Sequence, residues 1–167
     1  MQDADELFIP SEYSQLREHT EYREVVRTAD WLRGEIHKGK SVYYAPKPFP
    51  DIIFTHFPAE SGDATSGFFA KRMGLHKGVF DFIFWWATAK TGFIEMKADG
   101  RGMKPAQIRF DTRMNEMGFT NRALCYRAEQ VRDNLIKWGI PYNDVPIPQR
   151  KITHAEALAF QREMYRP

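Results

Sequence analysis

The chain has 167 residues, which is enough for one domain with a hydrophobic core. Hydrophobic residues make up 43% and charged residues 28%, a balance that excludes a disordered chain. The net charge of +2 leaves a nucleic-acid partner open, because such a partner requires only a local basic patch.

Sequence patterns in the N-terminal half predict, in order, a helix, a loop, a strand, a second loop and a short helix. Apolar residues recur at helical spacing from about Glu12 to Ile36, so we predict the first helix there. Residues 38–50 contain three prolines, which disfavour regular structure and predict a loop or an insertion. The run 52–57 is rich in β-formers and predicts a strand, followed by a polar loop at 58–67 and a short helix at 67–73.

The C-terminal half alternates strands and helices. We predict strands at 79–87 and 93–98 joined by a turn at 90–92, a helix that begins at Pro105 and is stopped by Gly118, a strand at 122–126, and helices at 128–138 and about 153–164. The order α-β-β-β-α-β-α predicts an α/β fold with a mixed central sheet and helices on both faces. We expect a single domain over residues 1–167, with its core at about 12–139 and a Pro-rich link and helix at 140–167.

The single cysteine, Cys125, excludes an internal disulfide and a multi-cysteine zinc site. It lies in an apolar run, which predicts a buried and inert thiol. Residues 1–5 lack the basic and apolar regions of a signal peptide, and no apolar run approaches the roughly 20 residues that span a membrane. We therefore expect a reducing, cytoplasmic setting. The five histidines show no metal-ligand spacing.

Three charged residues interrupt the two hydrophobic strands at 79–87 and 93–98: Asp81, Glu95 and Lys97. Because strand side chains alternate, Glu95 and Lys97 point to one face while their neighbours point into apolar packing. Charges inside apolar strands are costly unless they are paired. A structural salt-bridge cluster is one explanation, since the pattern E-x-K is common in strands.

A divalent cation is the other explanation. Mg²⁺ takes oxygen ligands, usually one or two carboxylates with water and phosphate oxygens. Asp81 and Glu95 would supply the carboxylates, and the carbonyl of Met96 could add a third oxygen. Lys97 would then hold the attacking water or offset charge on a phosphate, which is the chemistry of phosphodiester hydrolysis.

The motifs around these residues resemble one known family. The segments KRMGLHKGVFD at 71–81, GFIEMK at 92–97 and GMKPAQ at 102–107 resemble the VRR-NUC (virus-type replication-repair nuclease) family of the PD-(D/E)XK nuclease superfamily. The similarity extends from about Glu21 to Gly139. The resemblance implies a restriction-endonuclease-like core. The sequence departs from the family at Phe80, where proline is usual, and this departure concerns the scaffold more than the chemistry.

The resemblance also implies roles for individual residues. Asp81 and Glu95 match the family's metal ligands, Lys97 its catalytic lysine, and Gln107 a supporting glutamine at the start of the next helix. An acid in the first helix approaches the metal in this family. Glu21 is the match that we prefer, and Glu24 is its rival.

The implied activity is that of a Mg²⁺-dependent DNA endonuclease in which Mn²⁺ can substitute. Stand-alone bacterial and phage members of the family act as homodimers on branched DNA such as Holliday junctions or flaps, which implies a role in DNA repair in a bacterial cell or a phage-infected host. A restriction-like or RNA-directed nuclease on the same fold, or an inactive nucleic-acid-binding module, are the alternatives. Basic residues flank the predicted site and could contact phosphates: Lys71, Arg72, Lys77, Arg101 and Lys104.

Overall fold

The structure is a computed structural model that describes residues 20–57 and 78–150, together with Arg72, Gly74 and His76. The start of the predicted first helix, most of the short helix predicted at 67–73 and the whole helix predicted at about 153–164 lie outside the described residues.

The described residues form three helices and six strands in two sheets. In chain order these are α1 (Thr20–Arg33), β1 (Glu35–Lys38), β2 (Ser41–Tyr44), β3 (Ile53–His56), β4 (Phe82–Trp86), β5 (Lys90–Met96), α2 (Pro105–Glu116), β6 (Arg122–Cys125) and α3 (Ala128–Lys137). The larger sheet has the order β3-β4-β5-β6, with antiparallel pairing from β3 to β5 and parallel pairing between β5 and β6. The predicted α/β fold with a mixed central sheet is confirmed.

Two predictions for the N-terminal half are wrong. The first helix ends at Arg33 and not at Ile36, because Gly34 adopts a left-handed φ of +69° and packs directly against the backbone of Ala45. The segment 38–50, predicted as a loop or an insertion, is not irregular throughout, because residues 41–44 form β2, which pairs antiparallel with β1. The prolines exclude strand structure only from Pro46 onward. The element order is therefore α-β-β-β-β-β-α-β-α.

The turn predicted at 90–92 is also wrong. The chain reverses at residues 87–89, where Thr88 and Ala89 adopt positive φ angles of 62° and 57°. Gly92 lies inside β5 opposite Phe84, and a Cβ atom there would lie 2.5 Å from the ring of Trp138. The glycine thus allows close packing and does not mark a turn.

The two faces of the larger sheet pack against different helices. Phe82, Ile94 and Met96 are completely buried in a core that also contains apolar residues of α1 and α3. On the opposite face, Phe93 of β5 contacts Phe110 of α2 with ring centroids 6.0 Å apart. Helices therefore cover both faces, and the predicted alternation along β5 is confirmed.

Cys125 ends β6 and is completely buried in this core. Burial raises the pKa of its thiol to about 12, which keeps it protonated and inert, as predicted. Among the described residues, none of the helices combines the length and the apolar character that crossing a lipid bilayer requires.

Candidate active site

The pairing of β4 and β5 brings Asp81 and Glu95 together. Phe82 pairs with Ile94, so the next residues beyond this pair, Asp81 and Glu95, lie opposite each other. Met96 lies beyond the last residue pair between β4 and β5, and its backbone N–H donates to Oδ2 of Asp81 at 2.7 Å. The peptide of β5 therefore holds the Asp81 carboxylate beside Glu95.

Glu95 is the centre of the site and is completely buried. Its Oε1 accepts hydrogen bonds from Nζ of Lys97 and from Nε2 of Gln107. Its Oε2 is buried and has no hydrogen-bond partner among the described residues. Burial raises the pKa of Glu95 to about 7, and the carboxylates of Asp81 and Glu21 add to this, although Lys97 opposes it.

Lys97 follows β5 directly and is almost fully buried beside these acids. Besides its bond to Glu95, its ammonium group donates to the carbonyl of Met96 at 3.1 Å and lies 3.6 Å from Oε1 of Glu21. Burial alone lowers the pKa of Lys97, but the bond to Glu95 and the surrounding acids overcome this and raise it. The amine is therefore a buried cation held between two carboxylates.

Gln107 reaches the site from the first turn of α2. Its Oε1 accepts the backbone N–H of Lys104 at 2.8 Å, and this bond turns its amide nitrogen toward Glu95. Gly78 makes this approach possible. It has a φ of +89°, and a Cβ atom there would overlap the backbone of Ala106 and lie 2.8 Å from the nitrogen of Gln107. The close contact of Gly78 with the backbone of Ala106 and Gln107 therefore helps to position the Gln107 side chain beside Glu95.

The two candidate acids of the first helix lie in different places. Glu21 lies at the site, where its Oε2 accepts the backbone N–H of Ala98 at 3.3 Å and its Oε1 faces Lys97. Glu24 is buried and accepts the backbone N–H of Ala128 at the start of α3, at 3.0 Å. Glu24 therefore stabilises the packing of α1 on α3, and only Glu21 is near Glu95 and Lys97.

The predicted phosphate-binding residues are described in part. Lys71 and Lys77 lie outside the described residues. Lys104 is exposed and immediately precedes α2, next to the turn that carries Gln107. Arg101 is exposed in a turn whose backbone closes onto Ala98 at 3.0 Å. Arg72 is exposed.

The structure also brings together three residues that the sequence analysis missed. Asp30, Glu35 and His37 each offer a metal-ligand atom, and these atoms lie within 4.8 Å of one another. We call them the surface cluster. Arg33 bridges it, with 3.1 Å to Asp30 and 3.1 Å to Glu35. The cluster was missed because it depends on the β1–β2 hairpin, which brings His37 back beside the end of α1.

The surface cluster is electrostatically satisfied. The pKa of Glu35 is lowered, first by its hydrogen bond with His37 and also by Arg33. Glu21, Asp81 and Glu95 do not bring their ligand atoms as close together as the surface cluster does. Nζ of Lys97 contacts both Glu21 and Glu95. The environment of Glu95 nevertheless fits a cation better, since its buried Oε2 has no hydrogen-bond partner among the described residues, whereas Arg33 already bridges the carboxylates of the surface cluster.

Comparison with known proteins gives no match: no family model matches this sequence, and neither a curated protein nor a solved structure is significantly similar to it.

Proposed function

We propose that this chain is a Mg²⁺-dependent endonuclease that hydrolyses phosphodiester bonds in DNA. The observation that carries the proposal is the environment of Glu95. This carboxylate is completely buried, lies opposite Asp81, and has one oxygen without a hydrogen-bond partner among the described residues. Nearly all buried polar atoms in folded proteins are hydrogen-bonded, so an exception at a cluster of acids supports a cation ligand over a structural salt bridge.

The residues present fit such a cation. Glu95 and Asp81 would hold it, with the carbonyl of Met96 as a further oxygen and Glu21 at the margin of the site. When bound, Mg²⁺ supplies a water of lowered pKa and stabilises negative charge on the phosphate. All of these ligands are carboxylate or carbonyl oxygens, the class that Mg²⁺ prefers over nitrogen or sulfur.

Other side chains near Glu95 would position the water, the carboxylate and the DNA. Lys97 is a buried ammonium group that can hold the attacking water or offset charge on a phosphate oxygen, because the neighbouring acids keep it protonated. Gln107 fixes the orientation of Glu95, since its own amide is anchored on the backbone of Lys104. The exposed Arg101 and Lys104 would contact phosphates next to the scissile bond.

The resemblance of the motifs to VRR-NUC proteins supports a finer proposal. The four-stranded sheet with α1, α2 and α3 would be a PD-(D/E)XK core, and the substrate would be branched DNA such as a Holliday junction or a flap. Two copies of the chain would form a homodimer, which places two sites against two strands. With the β1–β2 hairpin set aside, the order of α1, the β3–β5 meander, α2, the parallel β6 and α3 supports this proposal.

A cleavage panel tests the activity and the substrate. The wild type is incubated with a four-way junction, a flap, plain duplex and single-stranded RNA, in Mg²⁺, Mn²⁺ or EDTA. We expect junction or flap cleavage only with a cation, leaving 5′-phosphate and 3′-hydroxyl ends. Preferred cleavage of plain duplex or RNA would favour a restriction-like or RNA-directed enzyme, and binding without cleavage would favour an inactive module.

Two variants test the site in the same panel. Asp81→Ala and Lys97→Ala should each slow cleavage by about a hundredfold or more, because the first removes a ligand of the proposed cation and the second removes an ammonium group that offsets charge on the phosphate. Asp51→Ala and Lys137→Ala are the matched controls, since they change the same residue types at exposed positions outside the site. Wild-type rates in Asp81→Ala and Lys97→Ala would show that the site is assigned to the wrong residues.

A further inference from the structure

The β1–β2 hairpin, which we call the hairpin arm (residues 35–44), exposes aromatic residues. Within the described part of the chain it forms a sheet of its own, and every residue from 36 to 44 is exposed. Tyr43 is 54% exposed and Tyr44 is 81% exposed. Isolated two-stranded hairpins are only marginally stable in water. The exposed tyrosines bury little surface in this hairpin, so packing within the protein does not explain why they are there. These side chains are available to a partner.

The charge of the arm indicates which partner. The sequence contains no acidic residue from Ile36 to Pro50, but it contains three lysines there: Lys38 and Lys40 in the arm, and Lys47 just beyond it. The acid at the base of the arm, Glu35, is already bound by Arg33 at 3.1 Å. In a chain with 24 basic and 22 acidic residues, this stretch is therefore a local concentration of positive charge. Such a surface is complementary to a polyanion.

The turn of the arm places its lysines at the tip. Lys38 pairs with Ser41, which leaves a two-residue turn of Gly39 and Lys40. Gly39 has a φ of +58° at the first central position, as a type II′ turn requires. Lys40 is the second central residue, and the ammonium group of Lys38 lies over the ring of Tyr43, 5.7 Å from its centre. The result is a narrow basic ribbon, a shape that the DNA major groove admits.

Helix α1 connects the arm with the candidate active site. Glu21 lies near the start of α1 beside Lys97, and Arg33 ends the helix just before the arm. Twelve residues of α-helix separate them by about 18 Å, since the rise is 1.5 Å per residue. That distance is about five base-pair steps of B-form DNA, for which the rise is about 3.4 Å. A duplex with its scissile bond at Glu95 could thus extend to the arm.

We propose that the hairpin arm is a DNA-binding element that grips the duplex a few base pairs away from the scissile bond. Lys38 and Lys40 contact the phosphates, and Tyr44 contacts the sugar-phosphate backbone. This inference rests on the proposed function, because it takes the substrate to be DNA. It adds a second contact region, separate from Arg101 and Lys104 at the site.

The test measures DNA binding without cleavage. A fluorescent four-way junction with 15-base-pair arms is titrated in EDTA at several salt concentrations, and binding is followed by anisotropy. Lys38→Ala/Lys40→Ala should weaken binding by about tenfold or more at 50 mM salt. It should also reduce the slope of log K against log salt by about 2, because two phosphate contacts are lost. Lys90→Ala/Lys137→Ala, which removes two exposed lysines elsewhere, should leave the slope unchanged.

A tyrosine variant provides an independent readout. Tyr44→Ala should lower the affinity several-fold and leave the salt slope unchanged, because it removes contact surface but no charge. Circular dichroism checks that each variant folds, and the exposure of these residues leads us to expect that it does. A full wild-type slope and affinity in the folded double-lysine variant would overturn the proposal.

The outcomes separate this inference from the proposed function. If the wild type binds the junction through the arm but does not cut it with Mg²⁺ or Mn²⁺, the DNA-binding arm stands and the nuclease proposal fails. If the wild type cuts the junction and the arm variants bind as the wild type does, the arm proposal alone fails. If the variants change the oligomeric state in sedimentation and leave the salt slope intact, the arm is a contact between copies and not a DNA-binding element.

Discussion

Two groups of acidic residues lie near opposite ends of α1, and they differ in what surrounds them. The surface cluster of Asp30, Glu35 and His37 has its possible ligand atoms close together, but Arg33 neutralises it and the pKa of Glu35 is lowered. The group around Glu95 is less tightly spaced, but it is buried and the pKa of Glu95 is raised to about 7. A carboxylate whose ionised form is disfavoured gains most from a cation. Burial therefore favours the group around Glu95 as the proposed cation site, whereas spacing alone would favour the surface cluster.

Matched glutamine substitutions in the two groups have the largest expected effect. We expect Glu95→Gln to slow junction cleavage by about a hundred- to a thousandfold, because it removes a cation ligand, and to weaken Mn²⁺ binding in calorimetry. We expect Glu35→Gln to leave both the rate and Mn²⁺ binding unchanged. The opposite pattern, with Mn²⁺ binding lost in Glu35→Gln and kept in Glu95→Gln, would make the surface cluster the cation site.

The dependence of stability on pH gives the next largest effect. The pKa of Glu95 is raised in the folded state, so the unfolded state binds fewer protons between pH 4.5 and about 7. The contribution of Glu95 to stability is therefore complete below pH 4.5 and is lost as pH rises through about 7. In EDTA, we expect the free energy of unfolding of Glu95→Gln, taken relative to that of the wild type, to increase by about 3 kcal/mol between pH 4.5 and pH 8.

Urea unfolding of both proteins at a series of pH values measures this difference. Glu116→Gln, an exposed change on α2, is the control and should follow the wild type. A constant difference between Glu95→Gln and the wild type from pH 4.5 to pH 8 would show that Glu95 ionises as freely in the folded protein as in the unfolded one.

Part of this site could be predicted from sequence because it depends on strand geometry. Alternation along β5 predicts that Glu95 and Lys97 share a face, and the hydrophobic strands on either side of the turn predict that Asp81 approaches them. Gln107 could not be derived in this way. Its orientation depends on a bond to the backbone of Lys104 and on the close contact at Gly78, and neither leaves a periodic signal.

The wrong predictions of secondary structure also arise from features that leave no periodic signal in the sequence. The sequence predicts a turn at Gly92. The position instead requires glycine because the ring of Trp138 packs against it, and Trp138 is 46 residues away in sequence. The hairpin arm was missed because its strands bury almost nothing, so no alternation of apolar and polar residues marks them. The alternation of apolar and polar residues arises from burial of one face of a strand, so an exposed β-ribbon does not show it.

The contact at Gly78 positions Gln107 beside the buried Glu95, and it can be tested by substitution. We expect Gly78→Ala to destabilise the protein by about 2 kcal/mol, because the new Cβ overlaps the backbone of Ala106 and the φ of +89° is strained for alanine. Cleavage should fall several-fold as well, since the displaced turn carries Gln107. Gly102→Ala is the control, because a Cβ there meets nothing within 4 Å. Equal stability and activity in both variants would show that α2 adjusts freely.

The smallest effect is expected at the surface cluster. Arg33→Ala removes two ion pairs, but the arginine side chain is 46% exposed, so we expect a loss of less than about 1 kcal/mol that disappears at high salt. The loss should also disappear at acid pH, because the lowered pKa of Glu35 contributes stability only above its unfolded value. Arg113→Ala, which breaks the exposed pair with Glu116, should behave alike in urea unfolding. A loss of 2 kcal/mol or more that persists in salt would mean that Arg33 anchors the hairpin arm, and the difference between the two groups would then be one of degree.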